Sequence, residues 1–279
     1  MNLLLWTGDA SGDKYLPVIE NLKEMGFDGV EIPIFDLNPD KYAALGKRLD
    51  DLGLVRTGVT VRGAADDPMG TDPKVRQLGV ANNKMALDCC RAGGMTVLAG
   101  PYHSGIGVFS GKGPTPDEWK RAVASMQEVA DHAHSCGVTL AVEYLNRFEC
   151  YLINCATDAV RFVKEVGRES CRTMYDTFHA HIEEKDPSVA IKHIAPVMAH
   201  VHISENDRST PGKGQVHWKD TFDALKAVGY DGWFVVEAFG QALPELAAAT
   251  KIWRRMFDSE EQLARDALAF IKKEWDKRS

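Results

Sequence analysis

The sequence predicts an α/β protein folded as one (β/α)8 TIM barrel domain over residues 1–279. Three observations carry that expectation. Eight short β-branched or apolar runs alternate with longer amphipathic ones, leaving no length for a second domain. Helix-to-strand handovers are punctuated by glycine, as at Met25-Gly26, Cys136-Gly137 and Val228-Gly229. The rival fold, a doubly wound open sheet, calls for a phosphate-cradling turn after an early strand. The only candidate, WTGDASGDK (6–14), has neither GxGxxG nor Walker spacing.

In chain order, the expected strands are Leu3–Thr7, Gly29–Ile34, Val55–Val61, Met95–Ala99, Val138–Glu143, Cys171–Asp176, Met198–Ile203 and Trp233–Glu237. Helical periodicity falls between them at 14–25, 39–52, 72–92, 116–136, 156–166, 187–194 and 218–228, then from Pro244 onward. The helix at 116 has the firmest start: Thr115 as N-cap, Pro116 in the first turn and Glu118 completing a capping box. Gly137 ends it. The last stretch, DSEEQLARDALAFIKKEWDKRS, reads as an amphipathic helix that closes the barrel or meets a partner chain.

Composition narrows the function. A formal charge of -7 argues against a nucleic-acid partner, which would need a basic face. No run of eighteen apolar residues offers a membrane span, and MNLLLWTGD is too short for a signal peptide. The six cysteines (89, 90, 136, 150, 155 and 171) lack CxxC pairs and read as reduced thiols of a cytoplasmic protein. Cys89-Cys90 falls inside a helix and is read as packing.

Chemistry concentrates at the strand tips, which in a barrel face the mouth. Four consecutive strands end on Glu143, Asp176, His202 and Glu237, with no such regularity in the first half. Three carboxylates and an imidazole suit a divalent ion, Mn2+ first, with Co2+ or Mg2+ as alternatives. Glu143 and Glu237 lie on the fifth and eighth expected strands, roughly 135° apart around an evenly spaced ring. A substrate between them would have a carboxylate on each side, as inversion at a carbon beside a carbonyl requires.

The segments EYLNRFECYLIN (143–154), YDTFHAHIEEKD (175–186), HVHISENDR (200–208) and FVVEAF (234–239) resemble the ketose 3-epimerases (D-tagatose and D-psicose 3-epimerases) of the xylose isomerase-like barrels. The resemblance implies metal ligation by Glu143, Asp176, His202 and Glu237, with the two glutamates as catalytic acid and base. It also implies sugar binding by Glu149, His179 and Arg208, and a homodimer or homotetramer. Tyr144, Tyr175 and His181 depart from the family pattern, and GPYHSGIGVF (100–109) does not align with the family's distal sugar loop.

The expected reaction is epimerisation at C3 of a free ketose through an enediolate. The alternative is an aldose–ketose isomerase, of the sugar or hydroxypyruvate type, on the same metal site. STPGKGQ (209–215), with Lys213, is the one candidate for a phosphate contact and is read as a flexible loop. Four residues carry plainer readings. His200 is an interior hydrogen-bonding residue. Glu31 is a mouth residue or an ion-pair partner, His103 loop packing or a mouth residue, and Trp6 a sugar-stacking ring or a lid. His179 and His181 are placed in a loop after Asp176.

Overall fold

The computed structural model describes residues 1–278. Seven parallel strands pair in sequence order: β1 (Gly29–Pro33), β2 (Val55–Val59), β3 (Val97–Gly100), β4 (Thr139–Val142), β5 (Cys171–Asp176), β6 (Met198–Ile203) and β7 (Trp233–Val236). The helices of the chain are α1 (Leu16–Met25), α2 (Pro39–Asp51), α3 (Pro73–Gly93), α4 (Pro116–Cys136), α5 (Ala156–Val166), α6 (Thr177–Glu183), α7 (Pro187–Ile194), α8 (Trp218–Ala227), α9 (Pro244–Thr250) and α10 (Glu260–Asp276). This is the expected TIM barrel with one strand fewer. No described helix is long and apolar enough to cross a membrane.

The missing strand is the first. Leu3–Leu5 form a 3-10 turn, because the Asn2 side-chain oxygen accepts from the Leu4 amide at 2.9 Å and folds the chain back at once. All three leucines are buried, so the run has no alternating face, and apolarity alone does not distinguish a strand from a turn. Residues 1 and 2 bridge β7 and β1 instead. The Asn2 amide donates to Val236 O and the Glu31 amide donates to Met1 O, both at 2.9 Å.

Packing explains the helices. On α5, Ala156, Ala159, Val160, Phe162, Val163 and Val166 are buried in one stripe, each large side chain contributing about 1.5–3 kcal/mol. The capping box of Thr115 and Glu118 is present on α4, and Gly137 closes that helix at φ 68°. At Gly29 a side chain is excluded by close approach: a Cβ would lie 2.3 Å from the Val55 carbonyl oxygen.

Three further features aim the mouth. The β5–β6 register shifts between Thr173 and Met174, a local irregularity of the kind that re-aims side chains, and it brings Asp176 opposite His202. Glu143 and Glu237 each stand one residue past a strand. Their amides still donate to the neighbouring strand's Gly100 O and Ile203 O, both at 3.1 Å. The expected loop after Asp176 is instead the helix α6. Asp176 Oδ1 caps it, accepting from the Phe178 and His179 amides at 2.6 and 3.0 Å.

The segment 209–215 is tied down, contrary to the flexible-loop reading. The buried Glu205 carboxylate accepts from the amides of Gly212 and Val216 and from the Trp218 indole at 2.8–3.0 Å. Lys213 pairs with Asp266 of α10.

Candidate active site

The four expected metal ligands converge on one atom, His202 Nδ1. Glu237 Oε1 lies 3.3 Å from it, Asp176 Oδ2 3.5 Å and Glu143 Oε1 4.0 Å. All four residues are nearly closed to solvent. Capping of α6 uses only one oxygen of Asp176, and Asp176 Oδ2 and His202 Nδ1 are buried without a hydrogen-bond partner. Buried polar atoms are rarely left so. Burial, then the neighbouring Glu237 charge, pushes the Glu143 carboxyl well above the usual carboxylate range. Burial alone would hold His202 neutral, yet the charges of Glu31 and Glu237 lift its basicity well above the ordinary imidazole value. The cluster therefore gathers positive charge, as a proton or as a cation. Asp176, His202 and Glu237, and separately Glu143, Asp176 and His179, each bring ligand atoms within 4.8 Å of one another. These donors fit a divalent cation with oxygen and nitrogen ligands.

Beneath the mouth lies a carboxylate that the sequence left between two readings. Glu31 is buried within the barrel and does not reach the mouth. Its Oε1 accepts from Asn2 Nδ2 at 3.0 Å and contacts His202 Nε2 at 2.8 Å. Its Oε2 accepts from Thr57 Oγ1 and contacts His200 Nε2, both at 2.8 Å. Burial disfavours its charge, but His202 and His200 overcome this and hold it well below the usual range. With Nε2 directed at Glu31, the other His202 nitrogen is turned toward the three carboxylates. The strongest sequence clue to this role was the His-x-His spacing of His200 and His202, which puts both rings on one face of β6.

The three expected sugar-binding residues form the adjoining wall. Glu149 Oε1 accepts from Arg208 Nη1 at 3.2 Å, and Glu149 Oε2 is buried without a partner. Arg208 is held by stacking, its guanidinium 4.1 Å from the Phe178 ring centre and 4.8 Å from that of Phe239. Its backbone is left-handed, φ 59°, a strained state that a non-glycine residue keeps only where its surroundings hold it. The Phe239 amide donates to Arg208 O at 2.9 Å.

The tautomer of His179 follows from its neighbours. The Asn146 backbone amide can only donate, and it does so to His179 Nδ1 at 3.0 Å. The proton of the neutral ring therefore sits on Nε2. Burial pushes the ring's basicity down to about 3, so it stays neutral. Nε2 lies 3.5 Å from Glu143 Oε1 and 3.1 Å from Arg208 Nη2. Because both Nε2 and Nη2 carry protons, they are two donors side by side, suited to a shared oxygen. Asn146 is a positioning residue that the sequence reading missed, although it lies inside the motif LNRFE.

The remaining candidates sit elsewhere. His103 is buried in loop packing, its ring 6.0 Å from that of Phe162 on α5 and its Nε2 3.7 Å from Cys150 Sγ. His200 is interior, as expected. Trp6 is half-buried, with its indole nitrogen unpartnered. All six cysteines are free.

Comparison with known proteins shows the family of the chain. Residues 19–274 match the family described as Xylose isomerase-like TIM barrel. An L-ribulose 3-epimerase of Mesorhizobium japonicum is 34% identical, covering 96% of this chain and 90% of its own. A D-psicose 3-epimerase of Agrobacterium fabrum is 30% identical, covering 92% of each. The solved structure of a Methylomonas sp. D-allulose 3-epimerase in complex with D-allulose superposes with a TM-score of 0.92 at 29% identity, covering 98% of this chain and 95% of that one.

Proposed function

We propose that this chain, which belongs to the ketose 3-epimerase family of the xylose isomerase-like TIM barrels and so to the isomerases, inverts the configuration at C3 of a free ketose. One observation carries the reading. Glu143 and Glu237 come from strands three apart, and both reach within 4.0 Å of the single His202 nitrogen. Two buried carboxylates from separate strands thereby meet at one buried nitrogen.

Glu143, Asp176, His202 and Glu237 would hold a divalent ion, Mn2+ in preference to Co2+ or Mg2+. When bound, it would polarise the substrate's carbonyl and hydroxyl oxygens and so acidify the C3 hydrogen. The chain's residues supply the proton traffic. One glutamate takes the C3 proton, leaving an enediolate, and the other returns a proton from the opposite side. The burial that raises Glu143 suits a group that must hold a proton as well as release one. His179 Nε2–H and the Arg208 guanidinium donate to the oxygens that gain charge. Glu149, steadied by Arg208, accepts from substrate hydroxyls.

A panel of four- to six-carbon ketoses, incubated with manganese-loaded protein in deuterium oxide, tests the reading. The expected product is the C3 epimer carrying deuterium at C3. An aldose product would assign the site to aldose–ketose isomerisation instead.

A further inference from the structure

Among the described residues, one set of metal-binding side chains lies apart from the mouth and the layer beneath it. It sits between two helices of the chain, α3 and α4. Asp88 comes from α3, while His132 and Cys136 lie four residues apart on one face of α4. Asp88 Oδ1 is 3.1 Å from His132 Nε2 and 3.7 Å from Cys136 Sγ. A tetrahedral site with metal–ligand bonds of roughly 2.0–2.3 Å has ligand–ligand edges of roughly 3.3–3.7 Å. The two edges from Asp88 already stand close to that spacing, and all three atoms lie within 4.8 Å of one another. The Asp88 and His132 side chains are about a quarter exposed, so solvent can reach the cluster. Arg91 Nη2 also donates to Asp88 Oδ1, at 3.1 Å, from a largely exposed side chain that is free to turn away.

We propose that Asp88, His132 and Cys136 form a second cation site, selective for a borderline-soft divalent ion such as Zn2+, with water as the fourth ligand. Sulfur distinguishes it from the mouth, whose donors are oxygen and nitrogen only. On binding, the Cys136 thiol gives its proton to solvent. Sγ, His132 Nε2 and Asp88 Oδ1 then each supply one electron pair to the ion, which clasps α3 to α4. Because the thiol must give up its proton to bind, occupancy rises with pH.

Cobalt titration of the full chain under a non-thiol reductant tests this. A thiolate-bound cobalt ion absorbs through sulfur-to-metal charge transfer in the near ultraviolet, which the sulfur-free mouth cannot produce. The expected result is one equivalent of such absorption, removed by added Zn2+. It should vanish in Cys136→Ser, weaken at least tenfold in His132→Ala, and persist unchanged in Glu143→Gln. Circular dichroism checks that each variant is folded. Absence of the band at saturating cobalt in the wild-type chain overturns the proposal, as does its survival in Cys136→Ser.

Discussion

The two halves of the barrel share a sheet but load their strand ends differently. β1, β2 and β3 finish on Pro33, Val59 and Gly100, whereas β4 to β7 carry or hand over to Glu143, Asp176, His202 and Glu237. The first half does contain a carboxylate in the barrel, Glu31, but both of its oxygens are fully engaged by Asn2, Thr57, His200 and His202. In the second half, Asp176 Oδ2 and Glu149 Oε2 are buried and unengaged. The contrast teaches that a buried acid's role is set by which of its lone pairs the fold leaves over. A saturated carboxylate orients its neighbour, and an unsaturated one awaits a ligand.

Breaking the second half should have the largest effect. Glu143→Gln and Glu237→Gln should each lower kcat roughly a thousandfold while leaving the circular dichroism spectrum unchanged. Near-normal turnover in either would end the two-base scheme. Glu31→Gln crosses the divide. Weakening the partner of His202 should lower metal affinity about 10–100-fold, read by competition with a chelator. Unchanged affinity would show that Glu31 serves packing alone.

His103 gives the first half a cost without chemistry. Its ring would protonate near 6.5 when unfolded but only near 3 when buried. Unfolding therefore takes up a proton in that window, and stability falls as pH drops through it. Between pH 7 and pH 5 this group should remove about 2 kcal/mol, measured by urea unfolding. His103→Asn should remove this share of the pH slope, leaving the equal share of His179, while C3 exchange stays intact. Smallest is Arg208→Lys, which keeps the charge but loses the planar fork. It should raise KM about tenfold with less change in kcat.

Much of this was legible in the sequence, for identifiable reasons. Strands β1 to β7 are β-branched or apolar runs bounded by glycine or a cap, and the tip residues of β4 to β7 stood out because four occur in succession. The first expected strand failed because Leu3–Leu5 carry no period, and the turn depends on one Asn2 side chain. The helix α6 was overlooked although Asp176 is a good N-cap, since its role as a tip carboxylate drew the reading away from its second oxygen. Glu31 could not be assigned from sequence. Its partners lie up to 171 residues away, and only the closed barrel brings them together.

Arg208 joins segments that the chain keeps far apart. Its side chain stacks on Phe178 after β5 and Phe239 after β7 and pairs with Glu149 after β4, while its own backbone follows β6. Loops bolted through one guanidinium cannot open singly, so their motions should share one relaxation rate. Redesign for a different sugar would then have to exchange these loops as a block, because a transplanted one would arrive without its anchor.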